Sequence, residues 1–211
     1  AEGIMTAFAE RTGLDPPKEV PVRYLWTDAF AVCNYLGLLW RTGEERFREL
    51  ALRLVDQVHE VLGRYRKDDD RTGGISGLNE AGGRLHPTRG GLRIGKRLPE
   101  RGPGETPDEG LEWDRDGQYF HYLTKWMHAL RRVAKVTGES DYLTWAIELA
   151  RAAHNGFVYT DGPSGQKRMH WKMSTDLSRP LVAQMGAHDP LEGWITYIEL
   201  EIQAVSRVPG S

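Results

Sequence analysis

Cysteine is almost absent: Cys33 is the only one in 211 residues. A single thiol excludes an internal disulfide and any multi-cysteine zinc or iron-sulfur site. It suits a reducing compartment, so the expected location is cytoplasmic. No apolar run approaches the roughly 18 residues that would suggest a membrane span, so a soluble chain is expected. A formal net charge of -2 argues against nucleic-acid binding through bulk electrostatics. No secretory leader is visible, and the start, Ala1-Glu2-Gly3, predicts a processed or truncated N-terminus. Neither a Walker loop nor a Gly-x-Ser-x-Gly elbow occurs, and no His-x-x-x-His spacing suggests a metal. No cofactor or metal is therefore expected.

What the chain does have is an internal repeat. Thr42-Gly43-Glu44 returns as Thr137-Gly138-Glu139, at an offset of 95. The same offset matches Phe47 with Tyr142, Ala51 with Ala146, Leu54 with Leu149 and His59 with His154. Each Thr-Gly follows a helix-like stretch and precedes another. The pattern predicts helical hairpins over 21–65 and 116–157, with a half hairpin over 190–206. All of it reads as one helical-hairpin domain, 1–211, forming part of a larger assembly.

In finer detail, a short helix over 4–11 should close at Thr12-Gly13. Pro21 suits the first turn of a helix running to Arg41, in which Asp28 is the only charge between Tyr24 and Trp40. Such a helix should be enclosed by protein. The next helix, 44–65, places Phe47, Leu50, Leu54, Val58 and Val61 on one stripe and charges opposite, as an outer layer should. Helices over 116–136 and 140–157 repeat the pair. A fifth begins at Pro190, with Asp189 as expected N-cap and Glu192 closing a capping box.

Between the hairpins lie 47 residues, Arg66 to Glu112, with 11 glycines. Connections this long usually carry function or are disordered. Alternation in Gly74-Ile75-Ser76-Gly77-Leu78 and Gly91-Leu92-Arg93-Ile94-Gly95 predicts short strands or a hairpin within 73–97. A second long connection covers 159–187. Both lead into inner helices, so the elaboration collects at one end of the array and can build a pocket there.

The hairpin repeat, with loop residues Glu112-Trp113-Asp114-Arg115-Asp116 and His170-Trp171-Lys172, resembles the six-hairpin (α/α) toroids of glycosidases and N-acylglucosamine epimerase-like proteins. The resemblance implies an all-α ring, of which this chain would supply about half. The remainder would come from missing sequence or from self-association.

Candidate chemistry follows. Asp28 is a lone acid among Tyr24 and Trp26, and burial should raise its pKa. Glycoside hydrolysis needs two carboxyls, so Asp28 with Glu112, Asp114 or Asp116 forms the expected pair. A structural acid satisfied by Arg23, and acids that cap a helix, are the plain alternatives. His121, His170 and His188 lie at the loop end; the resemblance implies proton transfer by such histidines in epimerases, with His170 and His188 best placed. Trp26, Trp113 and Trp171 would stack on a sugar, while Arg93, Lys96 and Lys172 would hold polar or acidic groups. Hydrolysis of a glycoside is the favoured expectation, and the resemblance implies a small-molecule or oligosaccharide substrate as partner. Epimerisation and binding without catalysis are the alternatives.

Overall fold

The structure is a computed structural model that describes residues 1–162, 164–182 and 186–206. It is mostly helical. After α1 (Glu2–Thr12) come α2 (Leu25–Thr42) and α3 (Arg46–Leu62), then α6 (Phe120–Thr137) and α7 (Asp141–Phe157), with α8 (Asp189–Val205) last. Two one-turn pieces, α4 (Glu80–Leu85) and α5 (Glu109–Glu112), lie in the first long connection. The boundaries of α2 and α6 differ by 95 residues at both ends, and so do those of α3 and α7. The repeat in the sequence is therefore a repeat in the backbone.

The hairpin turn explains why Thr-Gly marks it. Gly43 and Gly138 adopt φ 72° and 79°, left-handed conformations that close each inner helix without a side-chain clash. Thr42 donates its hydroxyl to the Leu38 carbonyl and accepts the Glu44 N–H; Thr137 does the same with Val133 and Glu139. The chain is thereby turned at once into the outer helix.

Inner helix α2 packs on α3 and α6, and α6 packs in turn on α7 and α8. Leu25, Val32, Leu54, Val58, Trp126, Leu130 and Leu149 are fully enclosed. Burying each side chain of this size stabilises the fold by about 1.5–3 kcal/mol. The inner helices are not apolar all round. On α2, Phe30 and Trp40 face solvent. On α6, Lys125 pairs with Glu192 and Arg131 with Glu199 of α8, the latter at 2.9 Å.

Several expected boundaries shift. Residues 21–24 are extended, so α2 starts at Leu25 rather than Pro21. Helix α6 starts at Phe120 because Gln118–Tyr119 form strand β1. Strand β1 pairs antiparallel with β4 (Lys172–Met173), which pairs with β5 (Pro180–Val182); β2 (Val158–Thr160) and β3 (Lys167–Met169) form a separate hairpin. The expected hairpin in 73–97 is not formed. Asn79 accepts the Gly82 N–H at 2.8 Å and caps α4 there instead, and the segment meets the rest through an isolated bridge, Arg64 to Gly74, and single backbone bonds such as Arg93 N–H to the Leu62 carbonyl and Ile94 N–H to the Gly117 carbonyl. Asp189 lies inside the first turn of α8, with His188 at the N-cap position, and Glu192 turns to Lys125 rather than back to the helix start. No described helix is long and apolar enough to cross a membrane.

Candidate functional site

Antiparallel hairpins put the starts of α2 and α6 at the same end as the finish of α3 and α7. Tyr24 and Tyr119 are repeat equivalents, each the extended residue preceding an inner helix. Their helices bring a set of rings together. Tyr24 and Tyr122 meet hydroxyl to hydroxyl at 2.5 Å. Trp26 lies 5.0 Å from Tyr122 and 5.7 Å from His121, centroid to centroid. His121 stacks on Trp171 at 6.3 Å with an interplanar angle of 10°. Tyr119 touches Trp171 at 5.1 Å, and Trp171 meets the edge of Trp113 at 5.3 Å.

This strip opens into a cleft of about 550 Å³, within the range typical of small-molecule sites. Trp113, Trp171 and Tyr119 form its aromatic wall, Pro107 and Leu181 its apolar flank, and Glu109, Glu112 and Arg101 its polar edge. Trp113 is 57% exposed, which leaves its ring open to the cleft. The structure thus brings Trp26, His121, Trp171 and Trp113 into one continuous strip. Lys96 joins its far end, with Nζ 5.5 Å above the Tyr24 ring.

The acids behave otherwise. Asp116 is fully buried, bound to Arg93 at 2.5 Å and to the Gly95 N–H at 2.9 Å. Arg93 also donates to the carbonyls of Arg64 and Val61, each at 2.6 Å. This pair locks the end of α3 to the start of β1, so both residues are structural and neither reaches the cleft. Asp28 accepts the Tyr24 N–H at 2.9 Å and faces Arg23 at 3.7 Å. Burial pushes its pKa up to about 7, with Arg23 and the Tyr24 N–H opposing. It caps the helix start and does not line the cleft. The plain reading of these two acids is the one the geometry favours: Asp28 accepts an N–H at a helix start, and Asp116 holds Arg93 and the Gly95 N–H.

Glu112 does line the cleft, held by Arg101 at 2.7 Å and Lys172 at 3.2 Å. Lys172 is fully buried and also donates to the carbonyls of Glu112 and Arg115, at 2.6 and 2.8 Å. Burial lowers its pKa, against the attraction of Glu112. Lys172 therefore supports the cleft wall from behind and has no free donor for a ligand. Asp114 is exposed beside Trp113, outside the cleft lining.

The histidines separate. His121 is half-buried among rings; burial first and Lys125 second lower its pKa to about 4, which keeps it neutral. Its Nδ1 is buried without a hydrogen-bond partner. His170 stacks on Tyr159 at 4.3 Å, beside the β2–β3 hairpin, and His188 is exposed at the start of α8. Neither lines the cleft. Among the described residues no group of three or more His, Cys, Asp or Glu could hold a metal ion.

Sequence reasoning missed Tyr119, Arg101 and Glu109. Tyr119 was findable, because the 95-residue offset pairs it with Tyr24. Arg101 and Glu109 sit in irregular loop, where no periodicity marks a facing side chain. Comparisons with family models, characterised proteins and solved structures found no match to this chain.

Proposed function

We propose that this chain binds a saccharide in the Trp113–Trp171 cleft and does so without hydrolysing it. The observation that carries the reading is the exposed face of Trp113 set edge-on to Trp171 over Tyr119 in an open cleft. Sugar rings present C–H faces that pack on aromatic planes, while their hydroxyls seek carboxylates at the rim. Glu109, exposed and without an ion-pair partner among the described residues, suits that second task.

Hydrolysis would need a second carboxyl poised to exchange a proton. Asp28 does not line the cleft, Asp116 is committed to Arg93, and Glu112 is neutralised by two cations. That distribution favours binding over turnover. The helix series α2, α6 and α8 reads as an arc of an (α/α) toroid. Exposed Leu191, Trp194, Ile195 and Ile202 on α8 suit a face that continues the ring, either through further sequence or through a second copy.

Titrating a panel of neutral oligosaccharides while following tryptophan fluorescence tests the reading. Saturable quenching is expected for at least one member, with affinity reduced at least tenfold in Trp113→Ala. Trp113→Ala should keep the wild-type unfolding midpoint within a few degrees, because the side chain is more than half exposed. Release of new reducing ends by the intact chain would overturn the non-catalytic part. Binding unaffected by Trp113→Ala would overturn the site.

A further inference from the structure

The repeat puts a histidine at the same place on both outer helices, yet the two have different surroundings. His154 on α7 is exposed, with Tyr197 of α8 at 6.1 Å. His59 on α3 is only 8% exposed, because the glycine-rich segment after α3 folds back over it. That segment comes very close: a Cβ on Gly90 would lie 2.5 Å from the Ile75 carbonyl, so only glycine lets the two strands of loop meet. Between α3, α7 and α4 the fold leaves a pocket of about 290 Å³ of mixed polarity, whose lining includes Asp56, His59, Glu60, Asn79, Arg84 and Trp145.

Two walls of this pocket are fixed. Trp145 donates its indole N–H to the Leu85 carbonyl at 2.9 Å, and its own carbonyl accepts the Thr88 hydroxyl at 2.7 Å. His59 accepts the Trp126 indole N–H on Nε2 at 3.1 Å. An acceptor Nε2 requires the neutral ring with its proton on Nδ1. Burial reinforces this by lowering the His59 pKa to about 3. No described group takes up the Nδ1 proton, and the ring borders the pocket. His59 is therefore a donor of one fixed tautomer.

The charges around it are unequal in their availability. Arg64 is held in a two-pronged pair by Glu80, at 2.7 and 3.0 Å. Arg84 has no ion-pair partner within 4 Å among the described residues. Asn79 uses its carbonyl oxygen to cap α4, which leaves its amide hydrogens as donors. Glu60 is exposed and only loosely paired, with Arg64 at 3.8 Å, which leaves it as an acceptor.

We propose that this pocket is a second ligand site, separate from the aromatic cleft, and that it takes a small polyhydroxylated carboxylic acid. The carboxylate would sit against Arg84 and the Asn79 amide, a ring or hydroxyl oxygen would accept from His59 Nδ1, and hydroxyl hydrogens would meet Glu60. The Trp145 ring, with Leu78 and Pro87, offers the apolar wall. The volume stands at the lower end of the range for small-ligand pockets, about 300–1,000 Å³, and fits a single six-carbon sugar acid.

The test is NMR titration of the intact chain with D-glucuronate, following the His59 Nδ1–H resonance. The expected result is a saturable shift, weakened at least tenfold in Arg84→Ala and at least tenfold when D-glucose replaces glucuronate. Arg84 is exposed on the short helix α4, so this variant should unfold at the wild-type midpoint. Trp113→Ala should leave the shift intact, which separates this site from the cleft. The proposal is overturned by a resonance that does not respond, by equal affinity in Arg84→Ala, or by glucose binding as tightly as glucuronate.

Discussion

Asp28 provides the sharpest test of the energetics. Its carboxyl is 1% exposed, and burial raises its pKa from an ordinary 3.8 to about 7. The folded state therefore holds a proton on Asp28 between those values while the unfolded chain has released it. By linkage, this group's contribution is fully present below pH 3.8 and is lost as pH rises through 7. At about 1.4 kcal/mol per pH unit, the interval amounts to about 4 kcal/mol. Most surface carboxylates act in the opposite direction, so the wild type alone would not isolate the effect. Asp28→Asn supplies the reference, because the amide oxygen can still accept the Tyr24 N–H and carries no charge at any pH. Urea denaturation of both proteins from pH 4.5 to 8 should show wild-type stability, taken relative to Asp28→Asn, falling by most of that 4 kcal/mol. The asparagine variant removes the counter-charge of Arg23 throughout, which offsets the curves without changing their slope. A difference that stays level, or that grows with pH, would refute the argument that burial outweighs Arg23 at this site.

Two further outcomes test the clamps around the cleft. Gly91 has φ 83°, and a Cβ there would fall 2.0 Å from the Gln118 amide oxygen. That amide accepts the Leu92 N–H and donates to the carbonyls of Gly90 and Thr175. Gly91→Ala should cost about 3–5 kcal/mol in chemical denaturation, from backbone strain and the loss of buried hydrogen bonds. A loss under about 1 kcal/mol would show that the amide is not needed there. Arg93→Met removes the nearer cation from buried Asp116, leaving Arg66 at 3.7 Å, and should cost about 3–5 kcal/mol, whereas Arg93→Met with Asp116→Leu should recover much of it, read from urea midpoints.

The repeat, the helix and turn positions, and the concentration of long connections at one end were legible in the sequence. Each depends on local chemistry: a left-handed glycine after a threonine, and an apolar stripe every three to four residues. The aromatic residues of the site were legible too, because Trp26, Trp113, Trp171 and His121 all lie at helix starts or in loops at that end. The acids were not. Asp28 and Asp116 look alike in sequence to a catalytic pair, but a carboxylate's role depends on which cation stands opposite; Arg23 is near Asp28 in sequence and was a readable alternative, whereas Arg93 reaches Asp116 only through the tertiary path of the loop. Lys172 shows the same limit: beside Trp171 in sequence, it points into the protein because strand geometry sends neighbours to opposite faces.

The sequence by itself determined that paired helices recur after 95 residues and turn at Thr-Gly, since those are short-range steric preferences. Only the tertiary structure decided which carboxylates are neutralised, which tryptophan keeps an open face, and that the glycine-rich segment encloses His59 but not His154. Those outcomes depend on contacts between residues tens of positions apart, where packing and the cost of burying charge choose the partners.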